Sequence, residues 1–143
     1  MIWDTIAAVA TAIGVGMAAW QLREGRKLAQ STFEDTLDQQ YRELAHGIPV
    51  DALLGKEIEE LGSETRELIY NYLDLCNEQV FLRKKNRITK ETWNDWSLGI
   101  SANLIKPAFK LVWDEVKNEA PGSFTFLELW EDRGFDDDPS TWK

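Results

Sequence analysis

The sequence has very few of the residues that form disulfide frameworks or zinc sites. Among its 143 residues there is one cysteine, Cys76, and one histidine, His46. A disulfide framework needs paired cysteines, and a self-contained Cys/His metal site needs several ligands, so both classes are excluded. The lone thiol is compatible with a reducing cytoplasm, and no metal or other cofactor is expected.

An excess of positive charge is also missing. The formal net charge is -9 at pH 7, whereas general nucleic-acid binders are normally basic. Proteins or a membrane are therefore the expected partners, and no nucleic acid is expected. The chain also has no internal repeat and no linker rich in Gly, Ser or Pro. Its length leaves room for one domain of about 120 residues after an N-terminal segment.

Charged side chains are absent from one long stretch near the N-terminus. No ionisable residue occurs in residues 5–22, which as a helix extend ~27 Å, close to the thickness of a bilayer's hydrocarbon core. Trp3 and Trp20 lie ~25 Å apart along such a helix, which places one indole in each headgroup layer. Asp4 can cap the first turn, so its charge need not enter the hydrocarbon. Residues 1–22 are therefore predicted to form a transmembrane helix.

The flanks of this stretch predict its orientation. Arg23, Arg26 and Lys27 follow it, while the other side carries only the terminal amine and Asp4. This basic bias places the C-terminal part of the chain in the cytoplasm. A secretory signal peptide would need a basic segment before the apolar run and a small-residue cleavage site after it, and neither is present. A buried core helix of a soluble protein is the second alternative, and the alanine-rich, leucine-poor composition leaves it open.

Small residues recur along the predicted span at intervals of four. One set falls on one face of the helix and the second set on another, so neighbouring backbones can approach closely along either. Two such faces permit a ring and not only a dimer, so we expect the span to associate with copies of itself. A chance match is the alternative, because alanine and glycine are common in spans. The first set is Ala8, Ala12 and Gly16, and the second is Ala10, Gly14 and Ala18.

Hydrophobic periodicity predicts helices in the rest of the chain. Residues 23–48 are predicted to continue the span as a helical stalk, and residues 49–143 to form a cytosolic helical domain. The predicted fold class is all-α, with an N-terminal transmembrane helix that continues into a cytosolic helical bundle.

Several helix ends in this domain are predicted from local signals. Ser63 is expected to cap a central core helix that runs to about residue 85, and Thr89 to cap the next helix after a left-handed turn at Asn86. Pro107 is expected at the first position of another helix. A short apolar segment, residues 124–130, is expected to pack back on the bundle, followed by an acidic tail.

Two groups of polar side chains resemble catalytic or metal sites. Arg42 and His46 resemble the ribonuclease signature of HEPN domains, but only three residues separate them, fewer than that signature requires. Asp74, Asn77 and Glu78 lie on the central helix, where carboxylates can bind a cation or act as acid and base. No histidine or Gly-rich loop completes such a site, so we expect these side chains to cap neighbouring helices or pair with arginines. The chain is predicted not to be an enzyme.

The strongest basic cluster lies at the end of the central helix. Basic side chains there offset the helix dipole in solvent, and they can also contact anionic headgroups or an acidic partner. Of the seven tryptophans, Trp130 and Trp142 are the ones expected at an interface. The basic cluster consists of Arg83, Lys84, Lys85 and Arg87.

Residues 72–100, YLDLCNEQVFLRKKNRITKETWNDWSLGI, and the later segment LIKPAFKLVW resemble a family of poorly characterised bacterial proteins. Members of that family carry one N-terminal span and a small cytosolic helical domain, and they are often encoded in prophages or defence islands. The layout is also similar to that of small CRISPR-associated membrane pore proteins, whose HEPN-like domains lack nuclease chemistry. The resemblance rests on helix and cap patterns, so it implies an architecture more than an activity.

These expectations lead to one functional hypothesis and one alternative. The hypothesis is a membrane-anchored antiphage defence effector that forms homo-oligomers on sensing a phage component and permeabilises the bacterial inner membrane. The alternative is a non-catalytic membrane-anchored scaffold or superinfection-exclusion protein, which works by binding alone.

Overall fold

The computed structural model describes all 143 residues, and every regular element is a helix. The predicted all-α fold class is confirmed, with a long apolar N-terminal helix followed by a helical domain. The helices are α1 Ile2–Gly47, α2 Val50–Leu53, α3 Ser63–Lys84, α4 Lys90–Leu104, α5 Pro107–Glu119, α6 Thr125–Asp132 and a 3₁₀ helix, Pro139–Thr141.

The chain divides into two compact units, Met1–Asp35 and Thr36–Lys143. Helix α1 is long and apolar enough at its N-terminal end to cross a membrane, because an 18-residue window has a mean hydropathy of 1.6. None of that window is buried within the protein. A core helix of a soluble protein would be mostly buried, so this alternative does not fit the structure.

Helix α3 is the central helix of the second unit, as its apolar residues predicted. It contacts α5, α6 and the 3₁₀ helix, and both Ile69 and Leu73 are fully buried. The largest buried side chains around it are Phe109, Trp113 and Trp130. Full burial of a large apolar side chain stabilises the fold by roughly 1.5–3 kcal/mol. This core positions the surface features that follow.

The helical hairpin between α3 and α4 forms as its local signals predicted. Asn86 adopts the left-handed conformation with φ 55°, which asparagine tolerates better than most residues. The Oγ1 atom of Thr89 then accepts a hydrogen bond from the backbone N–H of Thr92, at 3.3 Å, and caps α4. Pro107 occupies the first turn of α5, where its missing N–H costs nothing.

One predicted detail of the domain is wrong. Ser63 is the first residue of α3 and does not cap it, because the N-cap position belongs to Gly62, which has no side chain to bond. The predicted acidic segment at the C-terminus leads into a short 3₁₀ helix. The Oδ1 atom of Asp138 accepts a hydrogen bond from the backbone N–H of Ser140 at 2.9 Å and starts the 3₁₀ helix.

Trp130 is a core residue, which corrects its predicted place at an interface. Its side chain is only 1% exposed, and its ring lies 5.0 Å from the ring of Trp93, measured between centroids. The indole N–H donates to the backbone carbonyl of Asp137 at 3.1 Å. Trp142 is half-buried, and its indole N–H donates to the carboxylate of Asp137 at 2.9 Å.

Candidate functional site

The small residues of the predicted span all lie on α1 and are all exposed. At Gly14 and Gly16 an added Cβ would have no neighbour within 4 Å. Because each residue turns the helix by about 100°, sets that start at Ala8 and Ala10 lie about 200° apart, on nearly opposite faces. Both faces are therefore open to a neighbouring helix, and the predicted association along them stays a prediction.

Basic residues follow the apolar window on the same helix. Arg23, Arg26 and Lys27 are all exposed, and Lys27 forms an ion pair with Glu24 at 3.2 Å. An exposed pair of this kind stabilises little, about 0–1 kcal/mol. These side chains keep their charges accessible at the end of the apolar stretch, where anionic headgroups would lie if the helix spans a membrane.

Arg83 is buried, unlike the other residues of the basic cluster to which it was assigned from the sequence. Arg83 is only 6% exposed. Its Nε and Nη2 atoms donate to the two carboxylate oxygens of Asp138 at 2.8 and 2.7 Å. Its Nη1 atom donates to the backbone carbonyl of Ile88 at 2.7 Å. Arg83 is therefore committed to internal contacts, and its predicted contact with lipid or a partner is corrected.

The Arg83 guanidinium also sets the protonation of its partner. Its hydrogen bond to Asp138 holds the pKa of that carboxyl at about 2, below the ordinary value of 3.8, against the opposing effect of partial burial. Charge-assisted, bidentate pairs of this kind are among the stronger hydrogen bonds in proteins. The pair ties the C-terminal segment to the last turn of α3.

The other three members of the basic cluster lie nearer the surface. Lys85 and Arg87 are exposed and Lys84 is half-buried. The Nζ atom of Lys84 lies 5.5 Å from the ring centroid of Phe126, and that of Lys85 lies 5.8 Å from the ring centroid of Phe81. Both distances fit cation–π contacts. A surface contact with an anionic group would therefore involve only these three residues.

The polar residues at the middle of α3 divide into one structural residue and two surface carboxylates. The Oδ1 atom of Asn77 accepts hydrogen bonds from the backbone N–H groups of Phe126 and Leu127, at 2.9 and 3.1 Å. It satisfies two amides at the start of α6, so the prediction that this group caps a neighbouring helix is confirmed for Asn77. Asp74 and Glu78 are exposed.

A cleft in the second unit was not predicted as a site. It has a volume of about 300 Å³ and lies among three helices: the C-terminal part of α1, the middle of α3, and α4. Buried side chains form its floor, and exposed or half-buried ones form its rim. The floor consists of Tyr72, Gln79, Ile100 and Asn103, and the rim of Asp38, Tyr41, Arg42, Asp95, Trp96 and Gly99.

Two polar groups on the floor of the cleft are already hydrogen-bonded to the protein. The Nδ2 atom of Asn103 donates to the hydroxyl of Tyr72 at 2.9 Å, and its Oδ1 atom accepts from the Nζ atom of Lys106 at 2.7 Å. Burial raises the pKa of the Tyr72 hydroxyl well above 10.0, and the neighbouring Cys76 adds to this effect. Burial likewise raises the pKa of Cys76 to about 12. Both groups are therefore neutral at pH 7.

One carboxylate of the rim has its hydrogen-bond partner on another helix. Asp38 and Arg42 are spaced as an i,i+4 ion pair, but no ion pair joins them. Instead the Oδ1 atom of Asp38 accepts a hydrogen bond from the indole N–H of Trp96 at 2.6 Å. A half-buried indole needs an acceptor, and this bond leaves the Arg42 guanidinium, which is exposed, without a carboxylate within ion-pair distance.

Gln79 is the unexplained polar group of the cleft. It is only 5% exposed, it faces the cleft, and its carboxamide makes no hydrogen bond within the protein. Its polar atoms are not sealed from solvent, because the one fully buried side-chain atom without a partner is Oδ1 of Asp137. A ligand that enters the cleft would find both a donor and an acceptor there.

Arg42 and His46 are not brought together into a ribonuclease site. Arg42 faces the cleft, whereas His46 is exposed in the last turn of α1 and does not line it. The sequence carried one signal for the cleft itself, a glutamine among the apolar residues of α3. The pairing of Asp38 with Trp96 had no such signal, because 58 residues separate them.

Comparison with protein-family models, with curated proteins and with solved structures finds no match to this chain.

Proposed function

We propose that this chain is a single-span protein of the bacterial inner membrane whose spans associate and permeabilise that membrane as an antiphage defence response. The domain that begins at Thr36 lies in the cytoplasm and senses a phage component. The protein acts without catalysis and without a cofactor. Its partners are further copies of the chain, the membrane and a phage protein.

The observation that carries the proposal is the exposed apolar end of α1. Its 18-residue window is long enough to cross a bilayer, and none of its residues is buried within the protein. An apolar helix without an internal partner needs either lipid or other helices around it. The small residues that start at Ala8 and Ala10 give it two faces on which another backbone can approach closely.

Orientation and role rest on two further features. Arg23, Arg26 and Lys27 follow the apolar window, and such a basic bias favours the cytoplasmic side. The role in defence rests on the resemblance of residues 72–100 to single-span proteins encoded in prophages and defence islands. A ring of spans is compatible with a leak, because a closed ring of helices encloses a central space.

A depolarisation assay tests the proposal. Cells that express the full chain are followed with a potential-sensitive dye, with and without phage infection, and we expect depolarisation after infection. The double variant Ala12→Leu with Gly16→Leu fills one small-residue face and is expected to abolish the response. Val9→Leu with Ile13→Leu is the matched control, because it leaves both faces unchanged and keeps the span apolar.

Two outcomes would contradict the proposal. One is an unchanged membrane potential in wild-type cells both with and without phage. The other is equal depolarisation by the face-filling variant and by its control. Leucine on a small-residue face prevents close approach of the spans, so a leak that depends on their association should be lost.

A membrane-anchored scaffold or superinfection-exclusion protein is the second candidate, and the cleft beside Gln79 favours it. A domain that binds a partner needs no association of spans, so protection from phage should survive in the Ala12→Leu, Gly16→Leu variant. Protection without depolarisation in that variant would replace the first candidate by the second.

A further inference from the structure

The polar groups of the cleft can be sorted by whether the protein already uses them. The Asn103 carboxamide nitrogen donates to the Tyr72 hydroxyl, and the Asn103 carboxamide oxygen accepts from the Nζ atom of Lys106. The unused groups are the Gln79 carboxamide on the floor and the carboxylate of Asp95 on the rim, together with the second oxygen of Asp38. These groups define what a ligand can bind.

Charge selects the sign of that ligand. The rim carries two carboxylates, from Asp38 and Asp95, and one guanidinium, from Arg42. The whole chain has a formal charge of -9, so the surrounding field attracts cations and repels anions. Trp96 donates to one oxygen of Asp38, and the other oxygen is left for a ligand at the edge of the cleft.

Aromatic side chains select the shape of the ligand. The rings of Tyr41 and Tyr72 lie 5.9 Å apart at 54°, measured between their centroids, and the indole of Trp96 forms another part of the wall. Aromatic faces attract ammonium and guanidinium groups and also pack against apolar stems. A volume of about 300 Å³ suits a small molecule or one long side chain.

We propose that this cleft binds an organic cation, a guanidinium or primary ammonium group on an apolar stem. The cationic head lies against the carboxylates of Asp38 and Asp95, and its N–H groups donate to the carboxamide oxygen of Gln79. Either a free small molecule or an arginine or lysine side chain of a peptide supplies this chemistry. The inference concerns binding alone and does not rest on the proposed function.

The cleft includes three residues from the C-terminal part of α1. Asp38, Tyr41 and Arg42 belong to α1, which runs without a break from Ile2 to Gly47, while the other lining residues belong to α3 and α4. An occupant of the cleft would therefore contact this part of α1 together with α3 and α4.

Calorimetric titration of the purified full chain in detergent tests the inference. The main probe is n-butylguanidine, and its control is n-butylurea, which has the same planar shape without the charge. We expect the cation to bind at least about tenfold more tightly than the urea. Agmatine and Nα-acetyl-arginine methylamide distinguish the two sources, since a preference for the first indicates a free cation and a preference for the second indicates a peptide side chain.

Variants locate the binding. Asp95→Asn removes one exposed charge of the rim and is expected to weaken n-butylguanidine about fivefold. Asp74→Asn is the matched control. It changes the net charge of the protein by the same amount, but Asp74 lies on α3 outside the cleft. Gln79→Leu is expected to weaken binding as well, and circular dichroism checks that this variant is folded.

Three results would overturn the inference. The first is equal binding of n-butylguanidine and n-butylurea. The second is an equal effect of Asp95→Asn and Asp74→Asn, which would mean that only the overall negative charge attracts the cation. The third is tighter binding of adenosine monophosphate than of n-butylguanidine, which would mean that the cleft binds an anion through Arg42.

Discussion

Replacing Arg83 by methionine tests how the C-terminal segment is held on α3. The wild-type guanidinium donates two hydrogen bonds to Asp138, at 2.8 and 2.7 Å, and one to the backbone carbonyl of Ile88, at 2.7 Å. Methionine keeps most of the apolar stem but has no donor. The substitution therefore releases three acceptors while it changes the packing volume little.

The expected loss follows from the burial of the two partners. Removing one partner of a fully buried ion pair costs about 3–5 kcal/mol, because the remaining charge has no water. The Asp138 side chain is 26% exposed and can regain some water, so we expect a loss of about 2–3 kcal/mol. For a unit of this size, such a loss lowers Tm by roughly 8–20 °C.

The assay is thermal and urea unfolding of the full chain in detergent, followed by the near-ultraviolet circular dichroism of the tryptophans. Lys85→Met is the matched control, because it removes the same charge from the end of the same helix at an exposed position. If Arg83→Met loses no more stability than Lys85→Met, the bridge to Asp138 does not hold the C-terminal segment, and the assignment of Arg83 to the interior is refuted.

Two further predictions concern the same domain. The pKa of Asp138 is about 2 in the folded protein and 3.8 ordinarily, so its contribution of about 1–2 kcal/mol, reduced by solvent screening, is present above pH 4 and is lost as the pH falls towards 2. The stability difference between wild type and Asp138→Asn should shrink over that range, and a constant difference would refute the linkage. Asn77→Ala should cost about 1–2 kcal/mol, because two amides of α6 lose their acceptor. Asp74→Ala, at an exposed site on α3, should cost much less in the same unfolding assay, and equal losses would contradict the capping role.

Helix ends are the part of the fold that the sequence predicts best. Asn86, Thr89 and Pro107 act through their own backbone conformation or through a partner three residues away, so their effect can be recognised without knowing the fold. The same is true of the apolar window of α1, because its length and lack of charge are local properties.

Contacts between residues far apart in the chain are the part of the structure that the sequence does not predict. Arg83 stands in a run of basic residues that resembles a solvated helix end, and only folding brings it to Asp138, 55 residues away. Asp38 is spaced for an ion pair with Arg42, yet its oxygen accepts a hydrogen bond from the indole of Trp96, 58 residues away. In both cases a partly or fully buried donor needs an acceptor, and that need outweighs the weak local pairing.

The cleft illustrates the same limit. Gln79 stands out in the sequence only as a polar residue on an apolar helix, and its lack of a partner becomes visible once the neighbouring Tyr72 and Asn103 are seen to bond each other. The three-helix arrangement that encloses this glutamine depends on the packing of α1, α3 and α4, which local sequence patterns do not specify.

The oligomeric state of the full chain in membranes tests the central claim, association of the spans, most directly. Protein extracted in mild detergent from phage-infected cells is measured by light scattering with correction for the micelle, beside the Ala12→Leu, Gly16→Leu variant and the Val9→Leu, Ile13→Leu control. Association along the small-residue faces predicts an assembly larger than a dimer for the wild type and the control, and a smaller species for the face-filling variant. A wild-type monomer at every protein-to-detergent ratio would contradict it.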